Sequence, residues 1–169
     1  MSNVHRLKSS DKIFFITTNL IPGEPPFAEP EYAVILGTIA KMRERTGFLL
    51  CGYVLMPDHW HALIWPRFPE TISGVIQNVK RVSSFKLNRF RHGRVPLWQH
   101  QFWDRFVRHT QEFRERLDYM HFNPVRKGLV KHPEHWRWSS YNDFSPDKAK
   151  VAACPIQIDY VRLPDDYRA

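Results

Sequence analysis

The chain has 169 residues, 43% hydrophobic and 14% aromatic, with 25 Lys and Arg against 17 Asp and Glu for a formal charge of +8. This composition excludes a disordered chain and gives enough length for one domain with a substantial core, while the basic surplus points to a polyanionic partner. Two cysteines exclude a disulfide framework and a four-cysteine zinc site, and no apolar run is long enough to span a bilayer.

In chain order, Ile13 to Thr18 is β-branched and aromatic and predicts a strand. Pro22, Gly23, Pro25, Pro26 and Pro30 make a loop. Pro30 also suits the first turn of a helix running to about Arg45, with Ile35, Ile39 and Met42 on one side and Gly47 just past its end. Phe48 to Met56 is a nearly continuous apolar run, as expected of a strand covered on both faces. Pro57-Asp58 turns the chain, and His59 to Trp65 returns, so that 48–65 reads as a hairpin in the middle of a sheet.

From Thr71 a second helix carries Ile72, Val75, Ile76 and Val79 at helical spacing, then the basic residues Lys80, Arg81, Lys86, Arg89, Arg91 and Arg94. A strand is expected at Phe102 to Val107. A third helix starts near Thr110, taken as N-cap, and ends before Pro124. The order β-α-β-β-α-β is the split βαβ pattern of a ferredoxin-like α+β domain: an antiparallel sheet backed by two helices. Residues 1–144 are expected as one domain and 145–169 as a C-terminal tail. No signal-like stretch follows Met1, so a reducing, cytoplasmic setting is the expectation.

Two constellations carry chemistry. His59 and His61 sit at i and i+2 on a strand, so both imidazoles share a face while Trp60 points away. Two imidazoles at that spacing suit one metal ion, and they suit equally two histidines on a solvated sheet face. Tyr119 and Asn123 lie at i and i+4 on one face of the third helix. They fit a nucleophile and a neutral oxygen ligand, or a half-buried core tyrosine and a helix-ending Asn. Because Asn123 precedes Pro124, it is expected just past the last full turn.

At these residues the sequence resembles the single-tyrosine HUH transposases, and within them the REP-associated tyrosine transposases. The resemblance rests on four stretches in order. They are Met56 to Ile64 around His59-Trp60-His61, Leu97 to Arg105, Tyr119 to Val130, and Trp136-Arg137-Trp138-Ser139-Ser140-Tyr141. It implies a ferredoxin-like sheet with the His pair on a central strand, and Tyr119 on a helix packed against it as nucleophile. It further implies His59, His61 and Asn123 as ligands of Mg²⁺ or Mn²⁺. The implied activity is cleavage and rejoining of single-stranded DNA near palindromic hairpins, the repetitive extragenic palindromes, through a phosphotyrosine link. The acting unit would be a monomer or a homodimer. Asp58 stands where Asn is frequent in this branch.

A DNA grip is expected from Lys80, Arg81, Lys86, Arg89, Arg91 and Arg94 beside the active site, and from Arg126, Lys127 and Lys131 after the tyrosine helix. Trp98, Phe102, Trp103, Trp136 and Trp138 are candidates to stack on bases, at least half of them instead belonging to the core. The competing readings are an RNA-binding module on the same scaffold, a water-using metal nuclease, and a domesticated hairpin binder that does not cut.

Overall fold

The computed structural model describes residues 5–6, 12–93 and 96–164. Its elements are β1 (His5–Arg6), β2 (Phe14–Asn19), α1 (Glu29–Thr46), β3 (Leu49–Leu55), β4 (His59–Trp65), α2 (Ile72–Arg91), β5 (Trp103–Phe106), α3 (Thr110–Arg126) and β6 (Val161–Arg162), with short 3₁₀ turns at Pro133–His135 and Tyr141–Phe144. Four strands form one sheet in the order β3-β4-β2-β5, every neighbouring pair antiparallel. This is the ferredoxin-like arrangement expected from the element order. The short strands β1 and β6 pair in parallel.

Helices cover both faces of the sheet. Ile35, Leu36, Ile39 and Met42 of α1 and Val75, Ile76, Val79 and Leu87 of α2 pack with Ile16, Leu50, Ala62 and Ile64 of the sheet. On the other face, Leu117 and Met120 of α3 pack over Phe15, Cys51, Val54 and Leu63. Every residue of β3 is therefore buried, and each fully buried aliphatic side chain contributes roughly 1.5–3 kcal/mol by leaving water. Gly52 lies beneath α3, where the methyl of Met120 fills the space a side chain would take.

Three local expectations need correction. The hairpin is not wholly central, since β3 is an edge strand. It tolerates two covered faces because its outer backbone is also satisfied. Leu55 N–H donates to the Trp138 carbonyl, Tyr53 N–H to Ser140 Oγ, and Leu50 N–H to Asp159 Oδ2. The cap of α3 is His109, whose Nδ1 accepts from Glu112 N–H at 3.1 Å, and Thr110 is the first helical residue. Lastly, Pro124 lies inside α3, and Asn123 is within the helix rather than beyond it. Proline here removes only one helical bond, because the helix ends at Arg126, and Lys127 N–H still reaches the Asn123 carbonyl.

The two helices on the first face are pinned at their ends. Arg91, at the end of α2, donates through Nε to Glu31 Oε1 at 2.5 Å and through Nη2 to Glu31 Oε2 at 2.9 Å, with Glu24 3.3 Å from Nη1. Burial pushes the Glu31 carboxyl up, but the Arg91 hydrogen bonds, the Ala28 N–H and the Arg91 charge outweigh it and hold the carboxyl below its ordinary range. Among the described residues no helix is long and apolar enough to cross a membrane.

Candidate active site

His59 and His61 project from β4 toward α3, while Trp60 between them is fully buried in the core under α1 and α2. Strand alternation produces that split. The two ring orientations are fixed from opposite sides. His59 Nδ1 lies 2.6 Å from Asp58 Oδ1, and His61 Nδ1 lies 2.8 Å from Thr17 Oγ1, its register partner on β2. A carboxylate only accepts, so His59 carries a proton on Nδ1, and its Nε2 is the nitrogen turned toward Asn123. His61 stacks on Phe15, ring centres 5.4 Å apart at 18°. Burial, then the neighbouring His59, push the His61 pKa down to about 3, so its imidazole is neutral near pH 7.

Both Nε2 atoms converge on Asn123. Its Nδ2 donates to His61 Nε2 at 3.0 Å and lies 3.5 Å from His59 Nε2. One turn earlier on α3, Tyr119 places its ring 5.6 Å from the His61 ring and 6.1 Å from that of Phe15. Tyr119 remains 43% exposed, whereas Asn123 is buried, so the phenol stands at the mouth of the site and the amide at its floor. Arg126 lies over the Tyr119 ring at 5.2 Å and donates to the Tyr119 carbonyl at 3.0 Å. Arg116 sits over Phe15 at 5.3 Å and over the exposed Trp103 at 5.9 Å.

The four residues picked out by spacing thus meet at one place. Sequence reading missed Thr17, Phe15 and Arg116. The alternation of Phe15 and Thr17 along β2 was visible, but their partnership with His61 depends on the β2–β4 register, which no local pattern reveals. Asp58 now has a contact as well, the Nδ1 edge of His59.

The basic residues divide. Those of α2 lie on the opposite face of the sheet from Tyr119, because the split βαβ order sends α1 and α2 to one side, so they are not beside the active site as expected. Arg81 and Arg89 are exposed; Lys80 donates to the His100 carbonyl and Lys86 to Thr38 Oγ1. Arg91 is taken up by Glu31 and Glu24, its side chain 9% exposed, which removes it from any grip on DNA. Arg94 lies outside the described residues. Arg126, Lys127 and Lys131 are exposed, with Arg126 against Tyr119. Of the aromatics, Trp98 and Trp138 are buried, Phe102 and Trp136 partly so, and Trp103 is exposed.

The sequence profile of the family described as transposase, IS200-like, matches residues 28–113, just over half of the chain. The match takes in His59 and His61 and stops short of Tyr119. The chain is similar to the REP-associated tyrosine transposase of Escherichia coli, with 27% identity over 146 residues covering 84% of each chain. A relative from Haemophilus influenzae is 23% identical over 154 residues, covering 84% of this chain and 86% of its own. Among solved structures, that of a REP-associated tyrosine transposase bound to a REP hairpin aligns with a TM-score of 0.71 at 23% identity, covering 100% of this chain and 98% of its own. On the strength of the profile match, the chain belongs to the IS200-like transposase family, a family of DNA-processing enzymes.

Proposed function

We propose that this protein is a metal-dependent single-stranded DNA endonuclease and strand transferase that cuts near palindromic hairpins with Tyr119 as nucleophile. The observation that carries the reading is the convergence of His59 Nε2, His61 Nε2 and the Asn123 carboxamide within a turn of Tyr119. The hairpin substrate class is supported by the solved relative, described as bound to a REP hairpin.

The residues fit a divalent ion. Both Nε2 lone pairs face one point, and both Nδ1 atoms are engaged elsewhere. Among the described residues no group of three or more His, Cys, Asp or Glu gathers to hold a metal, so the third protein donor would be the Asn123 amide, turned over from the orientation in which its Nδ2 faces the two imidazoles so that its oxygen points there. Mg²⁺ or Mn²⁺ held by His59, His61 and Asn123 would supply positive charge to the scissile phosphate.

The remaining chemistry belongs to the chain. The Tyr119 hydroxyl gives up its proton to solvent as its oxygen bonds to phosphorus, the bond from phosphorus to the 3′ oxygen breaks, and the departing 3′ oxygen takes a proton from solvent to become a hydroxyl. A free phenol in water ionises only at about pH 10, so the charge on its oxygen needs help, and Arg126 over the ring provides it. Phe15 and Asn123 hold ring and helix in place. The phosphotyrosine diester preserves the phosphodiester energy, so the same route in reverse rejoins the strand without ATP. Arg126 and Lys127 flank the phosphate path, with Arg81 and Arg89 meeting DNA on the far face. We place the reaction in the cytoplasm and in a monomer or homodimer.

The test is incubation with a labelled single-stranded hairpin and Mn²⁺, followed by denaturing electrophoresis, beside Tyr119→Phe. A DNA-linked protein band that requires metal and disappears in the variant is expected. Cleavage that persists without an adduct would make this a water-using nuclease; binding without cleavage would make it a hairpin binder.

A further inference from the structure

A groove of about 710 Å³ lies between α2 and the segment before β5, on the face away from Tyr119. That is within the ordinary size range of small-ligand sites, ~300–1,000 Å³. Trp98 is among its lining residues and is itself buried, its indole N–H spent on Ser83 Oγ. Phe85 lines it while 62% exposed, an unusual position for a large apolar ring, and Arg89 lies over that ring at 5.4 Å. The polar members are Lys80, Arg81, His100, Ser84 and two glutamines, Gln77 and Gln99; none of the lining residues is acidic. Lys80 uses one of its three donors on the His100 carbonyl, and Arg81 is exposed.

The groove is tied to the active site through the backbone. Gln99 N–H donates to the Asn19 carbonyl at 2.9 Å, and Asn19 is the register partner of His59.

We propose that this groove is a second DNA subsite, one that seats an unpaired base of the same strand, with Phe85 stacking on the base and Arg81 and Lys80 meeting the adjoining phosphates. An aromatic ring exposed beside unopposed cations suits a base with a phosphate at each side, whereas an apolar peptide would leave those cations unanswered. This inference rests on the DNA-processing reading above and adds to it the anchoring of a nucleotide remote from the cut.

The experiment measures fluorescence anisotropy of a labelled hairpin with single-stranded flanks, in a series where one flank nucleotide at a time is made abasic. Wild-type protein, Phe85→Ala and Arg81→Gln are compared, with thermal melting of each variant as the folding control. Both residues are exposed, so unchanged melting is expected. The expected result is about a tenfold loss of affinity for wild type at one or two positions. Phe85→Ala should lose about tenfold on intact DNA and become insensitive to the abasic sites, and Arg81→Gln should bind with a shallower salt dependence. A flat abasic series in wild type, or unaltered binding by Phe85→Ala, overturns the subsite. So does a change in sedimentation with no change in DNA affinity, which would make the groove a contact between copies of the chain. A Tyr119 adduct together with a flat series removes the subsite alone, whereas absence of both adduct and binding removes the parent reading too.

Discussion

At the ends and base of the α1/α2 layer, several polar groups are spent on one another. Arg91 is closed off by Glu31 and Glu24, Lys86 reaches Thr38, and the Trp98 indole finds Ser83. On the α3 face the same kinds of group are oriented but not exhausted. Asp58 and Thr17 hold the outer nitrogens of two imidazoles, and their inner nitrogens meet at a single amide beside an exposed phenol. The lesson is that burial and hydrogen bonding alone do not separate a strut from a site. What separates them is whether lone pairs from different elements converge on one point beside an exposed nucleophile.

The largest effect is expected of Tyr119→Phe. If the α3 face is reactive, adduct formation falls by at least ~10³-fold in gel assays while thermal stability is unchanged, since the ring contacts remain. The opposite behaviour is expected of Arg91→Ala, which should cost about 3 kcal/mol in denaturant unfolding by leaving Glu31 buried and unpaired. Its DNA salt slope should match wild type, and a reduced slope would show Arg91 on the DNA after all.

Smaller effects sharpen the picture. Asp58→Ala frees the His59 ring, so titration calorimetry should find Mn²⁺ binding about tenfold weaker with the fold intact. An unchanged affinity would mean the carboxylate is incidental. An effect visible only in acid concerns His121, buried against Ser140 Oγ, whose pKa burial pushes down to about 3. Its folded pKa lies below the ordinary 6.5, so the unfolded chain binds a proton that the folded one refuses. Stability is therefore complete above that value and declines as pH falls toward 3, by about 1.4 kcal/mol per unit for this group. His121→Gln should flatten that decline.

Most of the architecture is legible in the sequence. The apolar run 48–56 announced a strand hidden on both faces, Ile35, Ile39 and Met42 announced the inward side of α1, and the element order announced the sheet. Legibility stopped where information was not local. Nothing in 49–55 distinguishes an edge strand from a central one, because its outer backbone is satisfied by residues 138–140 and 159, far along the chain. Arg91 looks like Arg89 in sequence, and only the docking of α1 shows which is withdrawn. For the site, residue types and spacing placed His59, His61, Tyr119 and Asn123, but their supports come from β2 and from the turn, through tertiary register. Pro124 misled as a helix stop because a proline in a final turn gives up a single bond.

The covering of β3 has a consequence for assembly. An uncovered edge strand is a template on which another chain can add a strand, and here Ser140, Trp138 and Asp159 occupy that template from within. A second copy is thereby denied sheet extension on this side, so any pairing of copies must engage other surfaces. Shortening the chain after Phe144 would remove Asp159 and Ile158 and unmask the Leu50 end of the strand. The penalty for that truncation would be self-association, felt well away from the chemistry.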